Sequence, residues 1–337
     1  MLYVTTADKN DVYTAHNALC KECSKDGGQF IPYRLPVVSE EYIKSLPQQS
    51  FGARIAHILN IFFSAKYTGT DIDFCVGKRP ARIAPAGHRI WVGELWHNHE
   101  NMFETTAKKI SRMLVSPNES SARISSWSKI VVKIALLWGL FGDLVSTGVV
   151  ETGNKVDISA AAGDLSTAMA AWYAREMGLP IGTIVIGCEE SSDLWDLMYQ
   201  GEMRIHKNAG FLGNLERMIC ETCGFDEASA FRMACAKGCR YVPGKVVLNK
   251  LGQGIFAAVV SGKRAELAIP NLYRTNSMLM DLSTAFAYCG MMDYRAKNKE
   301  TAAALLLRDN GPVTATDEIS RALGISEDAL KHILRFG

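Results

Sequence analysis

The chain has 337 residues, of which 48% are hydrophobic and 21% are charged, so it is long enough to bury a large core. Its 37 basic and 35 acidic residues nearly cancel, and they form no long run of one sign. This balance argues against a nucleic-acid partner and against binding to an anionic membrane surface.

The N-terminal residues show neither the basic nor the apolar segment of a secretory signal, which predicts a cytoplasmic protein. The most apolar stretch runs from Ile130 to Val150, but Lys133 and Asp143 interrupt it. Because a membrane span is normally free of charges, we predict a buried helix here and no membrane association.

Periodicity defines the elements of the first part of the chain. Glycines at 27 and 28 indicate a turn into an extended stretch, and Ser39 is placed to cap a short helix over 39–45. Apolar residues at helical spacing predict helices over 51–65 and 103–114, and the alternation over 89–95 predicts a strand.

The clearest unit lies in the middle of the chain. Residues 155–159 form a short apolar strand, 160–166 contain a glycine turn, 167–177 are a helix of small residues, and 179–187 are a second strand. This order predicts a βαβ crossover, and therefore a parallel sheet covered by helices.

A further helix and strand follow at 282–296 and 302–307, and 316–336 contains two short helices separated by Gly324. This last pair has the spacing of a helix-turn-helix, but it offers little positive charge beyond Lys331, His332 and Arg335. We therefore interpret it as a helix pair docked on the core.

The nine cysteines include pairs with metal-ligand spacing. Cys220, Cys223, Cys235 and Cys239 could complete a four-thiolate zinc site. The alternative is that they are reduced thiols in a core, because the segment 215–223 has apolar residues about one helical turn apart. We expect no metal and keep the zinc site as the weaker alternative.

Four stretches, read in order, resemble the threonine synthase family. Residues 27–32 read Gly-Gly-Gln-Phe-Ile-Pro, similar to the family's Gly-Gly-x-Phe-x-Pro. Residues 94–104 read Glu-Leu-Trp-His-Asn-His-Glu-Asn-Met-Phe-Glu, similar to its Glu-Leu-Phe-His-Gly-Pro-Thr-Leu-Ala-Phe-Lys. Residues 214–217 match its Asn-Leu-Glu-Arg, and 281–288 are similar to its Asp-Pro-His-Thr-Ala-x-Ala-Tyr.

The resemblance implies an α/β fold of the tryptophan-synthase-β type, a three-layer parallel sheet with helices on both faces. It divides the chain into an N-terminal threonine-synthase-like segment over 1–90 and a large α/β domain over 91–337. The family's small domain, with its substrate loop, is expected to be largely deleted between about 115 and 120.

The family uses pyridoxal phosphate (PLP), held by a lysine that this resemblance aligns with Glu104. A carboxylate can neither form the covalent link to the cofactor nor shuttle protons as the amine does. Lys108, one helical turn further on, is a substitute only if the backbone is shifted by that turn.

The family's phosphate cradle, Ser-Gly-Asn-Phe-Gly, aligns with 162–166, which places Gly163, Asp164 and Ser166 at the cofactor phosphate. There the amides of a helix N-terminus favour an anion. Asp164 would repel this anion, because two like unit charges about 4 Å apart repel each other by roughly 4 kcal/mol at an effective dielectric of 20.

The family has a hydroxyl near the pyridine nitrogen, and that position aligns with Asp309. An aspartate could take the place of the hydroxyl, because a carboxylate can pair with the pyridine nitrogen. Together with Glu104 and Asp164 it predicts an anionic pocket for a cation, an amine or a metal, helped by His97 or His99. The alternative is an abandoned site in which nearby Lys or Arg residues neutralise the acids.

We place Lys129 and Lys133, which share the same four-residue spacing, on the exposed edge of a long helix. We therefore expect no bound cofactor, with PLP as the alternative that the family implies.

The resulting function is that of a threonine-synthase-like protein which has lost PLP catalysis and works by binding a small molecule or a homologous protein. Covering the surface left by the missing domain would favour a homo-oligomer. The alternatives are an active lyase converting O-phosphohomoserine to threonine, or a repurposed enzyme with an acidic pocket.

Overall fold

The structure is a computed structural model that describes residues 1–96, 102–115, 124–206, 209–298 and 302–336. The strands are β1 (Leu2–Thr5), β2 (Asp8–Thr14), β3 (Phe30–Pro32), β4 (Arg82–Gly87), β5 (Ile90–Glu94), β6 (Val156–Ala161), β7 (Ile181–Cys188), β8 (Met203–Arg204), β9 (Arg240–Tyr241), β10 (Ile255–Val259) and β11 (Ala303–Arg308).

The helices before the central βαβ unit are α1 (Ala15–Cys20), α2 (Glu40–Ser45), α3 (Phe51–Phe63), α4 (Gly69–Val76), α5 (Phe103–Leu114) and α6 (Ser126–Ser146). Those that follow are α7 (Ser166–Glu176), α8 (Asp193–Trp195), α9 (Ala209–Cys223), α10 (Phe225–Lys237), α11 (Lys245–Leu251), α12 (Gly262–Asn276), α13 (Leu282–Lys297), α14 (Thr316–Leu323) and α15 (Glu327–Phe336).

The central sheet has six strands in the order β10-β7-β6-β11-β5-β4. The first five are parallel to one another, and β6-α7-β7 is the predicted crossover. The edge strand β4 is antiparallel to β5, so the predicted parallel sheet carries one antiparallel strand at this edge. Only a short turn joins β4 to β5, and such a turn permits an antiparallel pair alone.

Both faces of the sheet are buried, as the α/β prediction requires. Along β11, Leu305 and Leu307 belong to the larger core, whereas Ala304 and Leu306 belong to a second core. Side chains on a strand alternate between faces, so each set meets a different helix layer. The larger core contains residues of α3, α6, α7 and α9, and the second contains those of α12 to α15.

The apolar stretch at 130–150 is a buried helix, as predicted. Helix α6 begins after Ser125, whose side chain accepts a hydrogen bond from the Ser128 amide, and it is buried over most of its length. In the described part of the chain, no helix combines the length and the apolarity that crossing a membrane requires.

The two terminal helices dock on the second core, as predicted, through the fully buried Ile319 and Leu330. Between α5, which ends at Leu114, and α6, which begins at Ser126, residues 116–123 lie outside the described residues. The loss of a small domain at about 115–120 therefore stays a prediction.

Candidate functional site

The candidate site lies at the carboxyl ends of β6 and β11, where open α/β sheets bind ligands. Helix α5 begins beside the end of β11, because the Phe103 amide donates to the Asp309 carbonyl over 2.7 Å. Helix α7 begins after a turn in which Gly163 (φ +41) and Leu165 (φ 61) are left-handed. The starts of α5 and α7 are thereby brought to one edge of the sheet.

Lys133 lies in the middle of this site, so its predicted place on an exposed helix edge is wrong. Its side chain is 2% exposed, and its ammonium lies 2.6 Å from Asp309 Oδ2. It also donates to Ser166 Oγ at 2.9 Å and to Thr167 Oγ1 at 2.8 Å. The ring of Phe103 lies 4.8 Å from the ammonium. Because α6 is buried on nearly every side, the lysine reaches the site from the core.

Glu104 is held by two lysines at the first turn of α5. Its carboxylate lies 2.9 Å from Lys129 Nζ and 3.8 Å from Lys108 Nζ. Lys129 is one-third exposed, whereas Lys108 is half exposed at the rim. The placement of Lys129 on an exposed edge is therefore correct only in part.

Asp164 folds over the start of α7. Its Oδ1 accepts from the Ser166 amide at 2.9 Å and from Ser166 Oγ at 2.6 Å. Desolvation alone would raise the pKa of Asp164, but Lys133, the two Ser166 hydrogen bonds and Lys129 together hold it below its usual value. Asp164 is thus an internal anion at a helix N-terminus.

The three carboxylates therefore do not form the anionic pocket expected from the sequence. Glu104 and Asp309 each form ion pairs with lysines, and the pKa of Asp164 is lowered by the same cations. The charges balance within the cluster, which is the arrangement that the alternative interpretation predicted. A free cation or metal would have to displace a lysine to bind there.

Two cavities flank the glycine turn. The smaller, of about 240 Å³, is lined by Asp164, Thr167 and Asp309 among others, so two of the three predicted carboxylates do face one cavity. Glu104 does not line it. The larger, of about 560 Å³, lies on the other side of Gly163, beside Phe286.

Residues of two further motifs support this site. Asn214 Nδ2 donates to the Asp164 carbonyl at 2.7 Å, and Arg217, which is fully buried, donates to Asn214 Oδ1 at 2.6 Å. At the end of β11, Arg308 Nε lies 3.1 Å from Asp281 Oδ1, at the start of α13. The motifs thus fix the backbone around the site.

The remaining predicted residues do not add a ligand set. His97 and His99 lie outside the described residues. Within the ranges that are described, no group of three or more His, Cys, Asp or Glu residues could hold a metal ion. Burial, with a smaller effect of nearby glutamates, raises the pKa of the Cys220 thiol to about 12 and that of Cys235 to about 11. The described cysteines are free thiols that belong to no such group, so the weaker zinc alternative gains no support.

Comparison with known sequences relates the chain to one family. A family model described as the N terminus of threonine synthase matches residues 2–78. The chain is 26% identical over 182 residues to "Threonine synthase-like 1" of Macaca fascicularis, and likewise to that of Homo sapiens. Each match covers 50% of this chain but only 24% of the relative.

Solved structures agree on the fold. PLP-bound threonine synthase from Brucella melitensis superposes with a TM-score of 0.80 at 16% identity, covering 96% of this chain and 92% of that one. Threonine synthase from yeast gives 0.77 at 14% identity, covering 96% and 90%. The fold is therefore a PLP-enzyme fold. Together with the sequence matches, it supports membership of the threonine synthase family.

Proposed function

We propose that this chain is a threonine-synthase-like protein that has lost the lysine-based chemistry of PLP and works by binding. The observation that carries the proposal is the ion pair of Glu104 with Lys129 at 2.9 Å, at the position where the resemblance places the cofactor's lysine. A carboxylate held in this way offers no amine to an aldehyde.

The residues of the site do not fit PLP. The phosphate would need the amides at the start of α7, but the Ser166 amide already donates to Asp164. The pyridine nitrogen would need the Asp309 carboxylate, which already pairs with Lys133 at 2.6 Å. We therefore derive no reaction step through the cofactor.

The cavity of about 560 Å³ has the size of small-molecule sites, and with the cavity of about 240 Å³, which also borders Gly163, it supports a small molecule as the bound partner. A homologous chain, including a second copy of this one, remains part of the proposal, and sedimentation at high concentration tests for it. All nine cysteines are free thiols, which supports a reducing compartment such as the cytoplasm.

A second candidate, an active lyase with a relocated lysine, is favoured by one observation. Lys133 is buried and contacts Ser166 and Thr167 at the start of α7, so it is better placed for this role than the half-exposed Lys108. Its ammonium already has three acceptors, however, and a nucleophilic amine has to be freed from such partners and uncharged.

The test is incubation with excess PLP, followed by visible absorbance, borohydride reduction and peptide mapping. We expect no stoichiometric label, and only scattered trace labelling of exposed lysines such as Lys44. One fully labelled peptide would overturn the proposal, and a label on Lys133 that is absent from Lys133→Met would establish the second candidate. O-phosphohomoserine turnover by the same sample provides an independent check.

A further inference from the structure

The turn before α7 has most of its amides already committed within the protein. The Ala162 amide donates to the Gly187 carbonyl at 2.9 Å, and the Leu165 amide donates to the Ala162 carbonyl at 2.8 Å. The Ser166 amide donates to Asp164 Oδ1 at 2.9 Å. The carboxylate of Asp164 therefore lies where an external anion would meet the helix N-terminus.

Two lysines act on the carboxylate of Asp164. Lys133, buried in the core, donates to the hydroxyls of Ser166 and Thr167, and both Lys133 and Lys129 lower the pKa of Asp164. A buried ammonium and two hydroxyls at a helix N-terminus form a set that binds oxyanions. In this chain the oxyanions present are the protein's own, because Lys133 pairs with Asp309 at 2.6 Å and the Ser166 hydroxyl donates to Asp164 at 2.6 Å.

We propose that Asp164 prevents phosphate-bearing ligands from binding at this site, because its own carboxylate occupies the position where an oxyanion would bind. Lys133, Ser166 and Thr167 are the groups that would receive a phosphate once that carboxylate is neutralised. The inference deepens the proposed loss of cofactor chemistry, yet it concerns anion binding alone and not the covalent link.

The experiment uses inorganic phosphate, titrated calorimetrically into the full chain and its variants at constant ionic strength. Asp164→Asn keeps an oxygen for the Ser166 amide but removes the charge. Asp317→Asn, at an exposed position on α14, is the matched control. Circular dichroism verifies that each variant is folded, and Asp164→Ser replaces Asp164→Asn if the latter fails to fold.

We expect phosphate to bind Asp164→Asn at least tenfold more tightly than it binds the wild type or Asp317→Asn. Adding Lys133→Met to Asp164→Asn should remove this gain. Equal phosphate affinity in the wild type and in a folded Asp164 variant would overturn the inference, because Asp164 would then be only a local turn former. Inorganic phosphate has no aldehyde, so this result is independent of the borohydride test.

Discussion

Replacing Lys133 by methionine should destabilise the protein by about 3 kcal/mol. Methionine preserves the length and much of the volume of the side chain, so the change mainly removes the ammonium. Removing one partner of a buried ion pair typically costs about 3–5 kcal/mol, because the other charge is left unpaired. Asp309 is 38% exposed and can be hydrated in part, which places the expected cost at the lower end.

Urea unfolding followed by circular dichroism measures this cost in a double-mutant cycle with Asp309→Asn. We expect the double variant to be less destabilised than the sum of the two single variants, by at least about 1 kcal/mol. Lys44→Met is the control, because Lys44 pairs with Glu40 at 3.7 Å in solvent and should change stability by less than about 1 kcal/mol. A Lys133→Met variant as stable as the wild type would refute the central role of this lysine.

Three further changes test other parts of the structure. Burial raises the pKa of Glu221 from 4.5 to about 7, so between these pH values the folded protein binds more protons than the unfolded chain. The free energy of unfolding should therefore fall as pH rises through this interval. In Glu221→Gln it should fall less. EDTA should leave the Tm unchanged, since the described residues offer no metal ligand set; a clear drop would revive the zinc site. Leu306→Ala, at a fully buried position of β11, should cost about 2–5 kcal/mol in urea unfolding, and a neutral result would contradict the two-sided burial of the sheet.

Much of the sheet could be predicted from the sequence, because the central strands are short apolar runs between turns. Strand β10 was missed, and so was β4 at the opposite edge. Pro85 and Gly87 break its pattern, and proline is tolerated there because β4 is an edge strand that needs fewer ladder hydrogen bonds. An edge position depends on the whole sheet, so local sequence carries no signal for it.

The carboxylates of the site could be found by resemblance, but their partners could not. Glu104 and Asp309 meet lysines that come from α6, and neither pairing follows from local spacing. One signal was available for Lys133. It stands among apolar residues on both sides, from Ile130 to Leu137, and a lysine inside a helix buried all round has to be paired.

Restoring a lysine at position 104 separates two losses at the site, namely the missing cofactor lysine and the phosphate position that Asp164 occupies. Glu104→Lys removes the ion pair with Lys129 and places two ammonium groups close together, which favours the uncharged amine that attacks an aldehyde. The Asp164 carboxylate would still occupy the phosphate position, where it accepts a hydrogen bond from the Ser166 amide. We therefore expect borohydride to trap little PLP per chain in Glu104→Lys alone. In Glu104→Lys combined with Asp164→Asn, we expect at least tenfold more trapped PLP per chain. If the single variant already bound PLP fully at residue 104, the absent lysine alone would account for the lost cofactor chemistry, and Asp164 would have no part in it.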